Sequence, residues 1–298
     1  MFNNDGIQIW TVPKTGKYLI QAVGASSYPV GFKDYGFGFG ADIQTTVNLR
    51  IGHKIKILVG QHGEYNSRGG NWTISGGGGG SFVVNEDDEP IIIAGGGGGS
   101  CSLQANTLMV ADNNTSAHIS NNGLKPMDSL DIKPIYKSGN GGESGYGGKA
   151  SNFAGGGGGF YNNGENCVGT GNATGGFSFK KGGEGGTSGD STFKCDGGFG
   201  GGGGGSAGST GNGDYWKTVI ENGVYKSFFD GAPPNFKYNS GGGGGGYSGG
   251  GGGGVIIYYT VAVGWWGGGG GSFSKTPMIY NDYNYMGNGK VVITFLES

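Results

Sequence analysis

Apolar and polar residues alternate along the first third of the chain, and that period of two predicts strands. Ile7–Val12 (IQIWTV) and Lys17–Val23 (KYLIQAV) are two such segments. Pro13-Lys14-Thr15-Gly16 between them has turn chemistry, so the pair is expected to form a hairpin. Asp42–Leu49 (DIQTTVNL) and Lys54–Val59 (KIKILV) are two further strands, joined through Arg50–His53. Ser81–Val84, a polar Asn85-Glu86-Asp87-Asp88-Glu89 turn and Pro90–Ala94 read as a second hairpin. At the far end Lys290–Leu296 (KVVITFL) is expected to close the sheet against the N-terminal strands. Val255–Trp266 (VIIYYTVAVGWW), β-branched and aromatic, fits a buried strand. No segment carries sustained helical periodicity.

Between these strands the pattern gives way to glycine. Seven runs have five or six consecutive glycines: Gly76–Gly80, Gly95–Gly99, Gly155–Gly159, Gly200–Gly205, Gly241–Gly246, Gly249–Gly254 and Gly267–Gly271. Ordering a glycine costs about 0.5–1 kcal/mol more than ordering alanine, with no side chain to offset it. Ordered runs must therefore draw on backbone hydrogen bonds. The left-handed extended helix with three residues per turn leaves every N–H and C=O pointing outward, free to bond neighbouring chains. A run of five or six then spans roughly 15–19 Å, close to a typical strand. The runs at Gly76 and Gly95 adjoin the two strands of one hairpin, which sets them side by side as antiparallel neighbours. Flexible linkers have no reason to join strands in that way. The expected fold is all-β: an antiparallel β-sandwich combined with a bundle of polyglycine II helices. It forms one domain over residues 1–298, with sheet strands at 7–94 and 290–296 and the bundle at 76–271. Irregular insertions are expected at 106–137 and 214–238.

Composition removes several function classes. Glycine supplies 77 of 298 residues, but in runs and not at every third position, which excludes collagen. A formal net charge of −2 provides no basic footprint for nucleic acid. The first ten residues, Met1 to Trp10, contain no apolar stretch of signal-peptide length, so no secretory signal is expected there. Val255–Trp266 is shorter than the roughly 20 residues a spanning helix needs. Matches to G-x-G-x-x-G follow from composition alone, and Gly148-Lys149-Ala150 fails the phosphate-loop pattern. Kinase catalytic signatures are absent, and no cofactor motif is present.

The order of segments resembles the glycine-rich extracellular domain of the anaplastic lymphoma kinase and leukocyte tyrosine kinase receptors. The resemblance rests on Trp10-Thr11-Val12-Pro13 with Thr15-Gly16-Lys17-Tyr18, and on Leu58-Val59-Gly60-Gln61-His62-Gly63. It continues through the glycine-flanked hairpin, Gly155–Gly159 with Phe160, Phe199 with Gly200–Gly205, and Gly241–Gly246 with Tyr247. It closes on Gly289-Lys290-Val291-Val292-Ile293 and departs at the aromatic stretch Ser26–Phe39. It implies a tumour-necrosis-factor-like sandwich beside a polyglycine lattice, in an extracellular or plasma-membrane ectodomain. The implied partners are a small secreted cytokine-like protein ligand and a second copy of the chain. Membrane attachment would come only through segments outside this chain. A stand-alone structural or adhesive surface protein is the alternative.

Candidate site residues are few. Cys167 and Cys195 flank one glycine-dense excursion, which suits a disulfide in an oxidising compartment and leaves Cys101 as the odd thiol. Three reduced cysteines in an intracellular protein is the competing reading. Asn71, Asn113, Asn114 and Asn172 lie in N-x-S/T sequons, the middle two overlapping. His53, His62 and His118 are scattered without a serine or cysteine partner in recognisable context, so no catalytic group is assigned. Glu86–Glu89 is an acidic tip, read as a solvated turn ahead of a calcium or basic-ligand site.

Overall fold

The structure is a computed structural model that describes residues 6–28, 38–68, 72–103, 114–126, 137–169, 171–189, 194–210, 215–221, 224–230, 236–258, 261–280 and 285–297. The strands are β1 (Gln8–Thr11), β2 (Gly16–Val23), β3 (Asp42–Leu49), β4 (Lys54–Leu58), β5 (Tyr65–Arg68), β6 (Trp72–Ser75), β7 (Ser81–Asn85), β8 (Pro90–Ala94) and β9 (Cys101–Leu103). They continue as β10 (Ser206–Thr210), β11 (Tyr215–Glu221), β12 (Val224–Asp230), β13 (Phe236–Ser240), β14 (Val255–Tyr258), β15 (Val261–Gly264), β16 (Phe273–Ser274), β17 (Met278–Tyr280) and β18 (Lys290–Glu297). A single 3-10 turn at Phe179–Lys181 is the one helical element among the described residues.

Two antiparallel sheets carry the sandwich, one in the order β1-β4-β7-β8-β16 and the other β17-β3-β2-β18. The period of two places Tyr18, Ile20 and Ala22 of β2 and Ile43 of β3 inward, against Ile55, Ile57, Val83 and Ile92 of the facing sheet. β18 pairs with β2 from Lys290↔Val23 onward, as its pattern predicts. The β7–β8 hairpin also forms as expected.

The N-terminal hairpin does not form. β1 pairs with β4 in the first sheet, whereas β2 pairs with β3 and β18 in the second. Val12 N–H donates to His53 O and Gly52 N–H donates to Val12 O, both at 2.9 Å, which ties the end of β1 to the start of β4. The next residue, Pro13, has no N–H to extend that ladder. The Pro13–Thr15 segment is thus a crossover between sheets, a geometry that local turn chemistry does not distinguish from a hairpin. Val255–Trp266 is likewise not one strand but the β14–β15 pair, with Trp265 and Trp266 buried beyond it. Tyr215–Glu221 and Val224–Asp230 pair within the aromatic tract at 214–238.

The far face of the first sheet is also buried. Leu58, Phe82, Val84 and Ile93 meet Phe160 and Phe179, with Phe199, Tyr247 and Phe273 packed around them. Phe160 and Phe179 stack with centroids 5.3 Å apart, and Tyr247 and Phe273 at 4.7 Å. Phe160, Phe199 and Tyr247 each abut a glycine run, and Phe273 follows one by a single serine. The aromatic ends of the runs therefore form the layer that fastens them to the sheet.

Beyond that layer the glycine runs bond to each other. Gly77 and Gly80 donate to Gly203 and Gly200, at 2.9 and 3.0 Å. Gly96 and Gly99 donate to Gly245 and Gly242, Gly267 and Gly270 to Gly99 and Gly96, and Gly243 and Gly246 to Gly155 and Gly158. In every case donors three residues apart reach the same neighbouring run. The intervening N–H groups turn to other chains: Gly78 donates to Gly97 O and Gly79 to Gln61 O. A β-ladder would return to its partner every second residue. Residues 114–126 are threaded into the same network, with Gly269 donating to Asn114 O, His118 to Gly270 O and Gly251 to Leu124 O. A Cβ built at Gly157 would collide with Gly244 O, and one at Gly244 with Gly96 O. These are carbonyls of the opposing main chain, so nothing flexible can move aside.

Candidate functional site

The turns that end β3 and β7 meet at one end of the sandwich and frame a cleft of about 570 Å³. Its acidic side is built by Asn85, whose side-chain Oδ1 accepts the backbone N–H of Asp87 at 3.0 Å and of Glu89 at 2.8 Å. Asp88 occupies the left-handed region at φ 60°, which Asp tolerates better than most residues. This compact turn divides the acidic tip into two pairs. Asp88 binds Lys56 at 2.7 Å and Glu89 binds Lys275 at 3.1 Å, bracing the turn to β4 and to the strand after the last glycine run. The Lys275 ammonium, by hydrogen bond and by charge, holds the Glu89 carboxyl below its ordinary value. Glu86 and Asp87 line the cleft itself, with His53, Lys54 and Lys17 on the other walls. Val47, Leu49, Ile55 and Ile91 supply apolar floor between them.

Carboxylates and ammonium groups share one concave surface, which suits a ligand presenting both charges. Among the described residues no group of three or more His, Cys, Asp or Glu converges as a metal set would. His53 enters the cleft, while His62 turns its Nδ1 to Gly63 O at 2.9 Å. His118 does meet a serine, the one two residues on in the chain: Nδ1 lies 2.6 Å from Ser120 Oγ. The same nitrogen accepts the Ser120 backbone N–H at 3.1 Å, so the contact closes a local turn.

The expected Cys167–Cys195 bridge is absent, and all three cysteines are thiols. Cys167 is half-buried on an excursion that folds on itself, its N–H donating to Ala173 O at 2.9 Å. Burial pushes its thiol above the usual range. Cys195 is sealed against Ile74, and Ile74 is also the cross-strand partner of the buried Cys101. The two buried thiols thus share a neighbour, and Cys167 is outside that cluster. Of the sequons, Asn71 and Asn113 lie outside the described residues. Asn114 is half-buried with its carbonyl bonded to Gly269, and the Ser116 hydroxyl of its sequon accepts the Phe39 N–H at 3.3 Å. Asn172 is exposed, with its backbone in the left-handed region at φ 49°.

The sequence did not single out the cleft, because its walls come from separate stretches of the chain as distant as Lys17 and Thr276. The one local signal was the acidic tip. No protein-family model matches the chain. Over 66 residues, 22% of its length, it is 38% identical to the mouse (Mus musculus) leukocyte tyrosine kinase receptor. That match spans 7% of the receptor and supports a distant relationship. No helix among the described residues is long and apolar enough to cross a membrane.

Proposed function

We propose that the chain is a cell-surface recognition module, outside the cell, that binds a protein ligand on a scaffold of polyglycine II helices. The observation that carries the scaffold reading is the three-residue return of each run to the same neighbour, the period of that helix. A lattice bonded through its main chains holds loops rigidly, and rigid presentation lowers the ordering cost of binding. The partial likeness to a tyrosine kinase receptor favours an ectodomain, and the mixed-charge cleft favours a protein ligand over a small apolar one. No catalytic residue is assigned.

Surface plasmon resonance of the full chain against a panel of small secreted cytokine-like proteins tests this. Saturable binding that weakens at least tenfold in Glu86→Lys with Asp87→Lys, while thermal melting is kept, is the expected result. No binding across the panel, with uniform staining of the chain on intact cells, would favour a structural or adhesive surface protein. That second reading draws on the density of the lattice, which exceeds what a ligand cleft alone requires. Staining only after permeabilisation would overturn both.

A further inference from the structure

A second depression, of about 750 Å³, lies on the glycine lattice and not at the sandwich. Its floor is main chain: Gly123 donates to Gly142 O at 2.9 Å, Gly142 to Gly249 O at 2.7 Å and Lys149 to Asn140 O at 2.8 Å. A Cβ at Gly141 would strike Gly123 O and one at Gly147 would strike Asn163 O, so the depth of the groove is set by glycine. Side chains rise only at its margins. The amides of Asn122, Asn140 and Asn162 are exposed there, and Tyr146 leaves 56% of its surface to solvent. Tyr161 lies beside that ring, with centroids 6.4 Å apart. The charges balance: Lys125 and Lys149 face Glu143 and Glu165, and Lys149 pairs with Glu165.

We infer that this groove is a binding site for a neutral oligosaccharide. Each amide offers a donor and an acceptor side by side, which matches hydroxyl groups that both donate and accept. An exposed tyrosine gives an apolar face for the C–H face of a pyranose and a hydroxyl at its rim. Balanced charge disfavours sulfated or phosphorylated polymers, whose binding requires a surplus of cations. The described residues that line the groove include no aliphatic side chain, Phe or Trp, so the clustered apolar anchors of a protein interface are missing from them. The lattice supplies what a weakly binding sugar needs most, amides whose main chain is already fixed, so little backbone order is lost on binding.

The test uses the full chain on an array of immobilised manno-, cello- and chito-oligosaccharides, with heparin-derived oligosaccharides alongside, followed by titration with the best neutral tetrasaccharide. Binding of at least one neutral series is expected, with less than about a twofold change between 0.05 and 0.5 M salt, since no net charge is neutralised. Tyr146→Ala should weaken it at least tenfold and Asn140→Ala severalfold, whereas Tyr146→Phe keeps it within about threefold. Both positions are exposed, so melting temperatures should not move. Glu86→Lys should leave sugar binding intact, which separates this site from the cleft. Binding confined to the sulfated oligosaccharides and lost at 0.5 M salt, no binding to any neutral series, or full binding by Tyr146→Ala would each overturn the inference.

Discussion

The sandwich and the glycine lattice are built on opposite physical terms. In the sandwich, side chains such as Ile20, Ile57, Val83 and Ile92 fill the space between sheets, and apolar burial is the main favourable contribution. In the lattice there are no side chains to bury, and main chains approach until any Cβ would meet a carbonyl. Its cohesion comes from hydrogen bonds worth about 0.5–1.5 kcal/mol net each, set against the high ordering cost of glycine. The two regions should therefore respond to substitution with opposite signs of size: the sandwich suffers from lost carbon and the lattice from added carbon.

Variants arranged by expected effect test that contrast. Phe160→Ala should do most damage, since Phe160 belongs to the layer that joins both regions; a loss of about 3–5 kcal/mol is expected in denaturant titration. Its cooperative transition should also split in two, if the aromatic layer is what couples them. Next, Gly157→Ala and Gly244→Ala each place one carbon against a fixed carbonyl. Each should cost about 1–3 kcal/mol or more, lowering the melting temperature by several degrees. Ile92→Val, which removes one carbon from the sandwich, should cost about 0.5–1.5 kcal/mol. If the two glycine variants melt at the wild-type temperature, the lattice is not a packed solid and the contrast fails.

Two smaller effects concern titration. Glu89 has a lowered folded pKa because of Lys275, so its contribution to stability is present above the ordinary carboxylate range and disappears as pH falls through the lowered value. Carboxyl carbon NMR should show its titration returning upward in Lys275→Ala; an unchanged midpoint would remove the brace. Cys167, whose thiol is raised by burial, should be alkylated more slowly than a peptide thiol at neutral pH and accelerate only in more alkaline buffer. Cys101 and Cys195, fully buried, should react only on unfolding. Mass-spectrometric mapping of alkylation sites distinguishes the three.

Much of the sandwich could be read along the chain because its period of two is local. The alternation in Lys17–Val23 and Lys290–Leu296 specifies which residues face inward whichever strand lies alongside. The partner of β1 could not be read in this way. A proline-containing turn is compatible with a hairpin and with a crossover, and only the bonds between Val12, Gly52 and His53 decide between them. The Cys167–Cys195 pairing failed for a related reason. Flanking the same excursion says nothing about direction, and Cys195 turns toward Ile74. The aromatic residues at the ends of the glycine runs were visible as neighbours in sequence, but not as members of one stacked layer.

By itself the sequence determined that this is an all-β protein, which residues form β1–β4, β7, β8 and β18, and that its glycine runs must bond through the backbone if they are ordered. These follow from periodicity and from the absence of a side chain, which are properties of each residue and its neighbours. Tertiary structure alone decided which run donates to which, where the acidic turn meets His53 and Lys54, and which amides border the groove. Identical glycine runs carry no information about their partners, so the assignment rests with the strands and aromatic rings that fix where each run begins and ends.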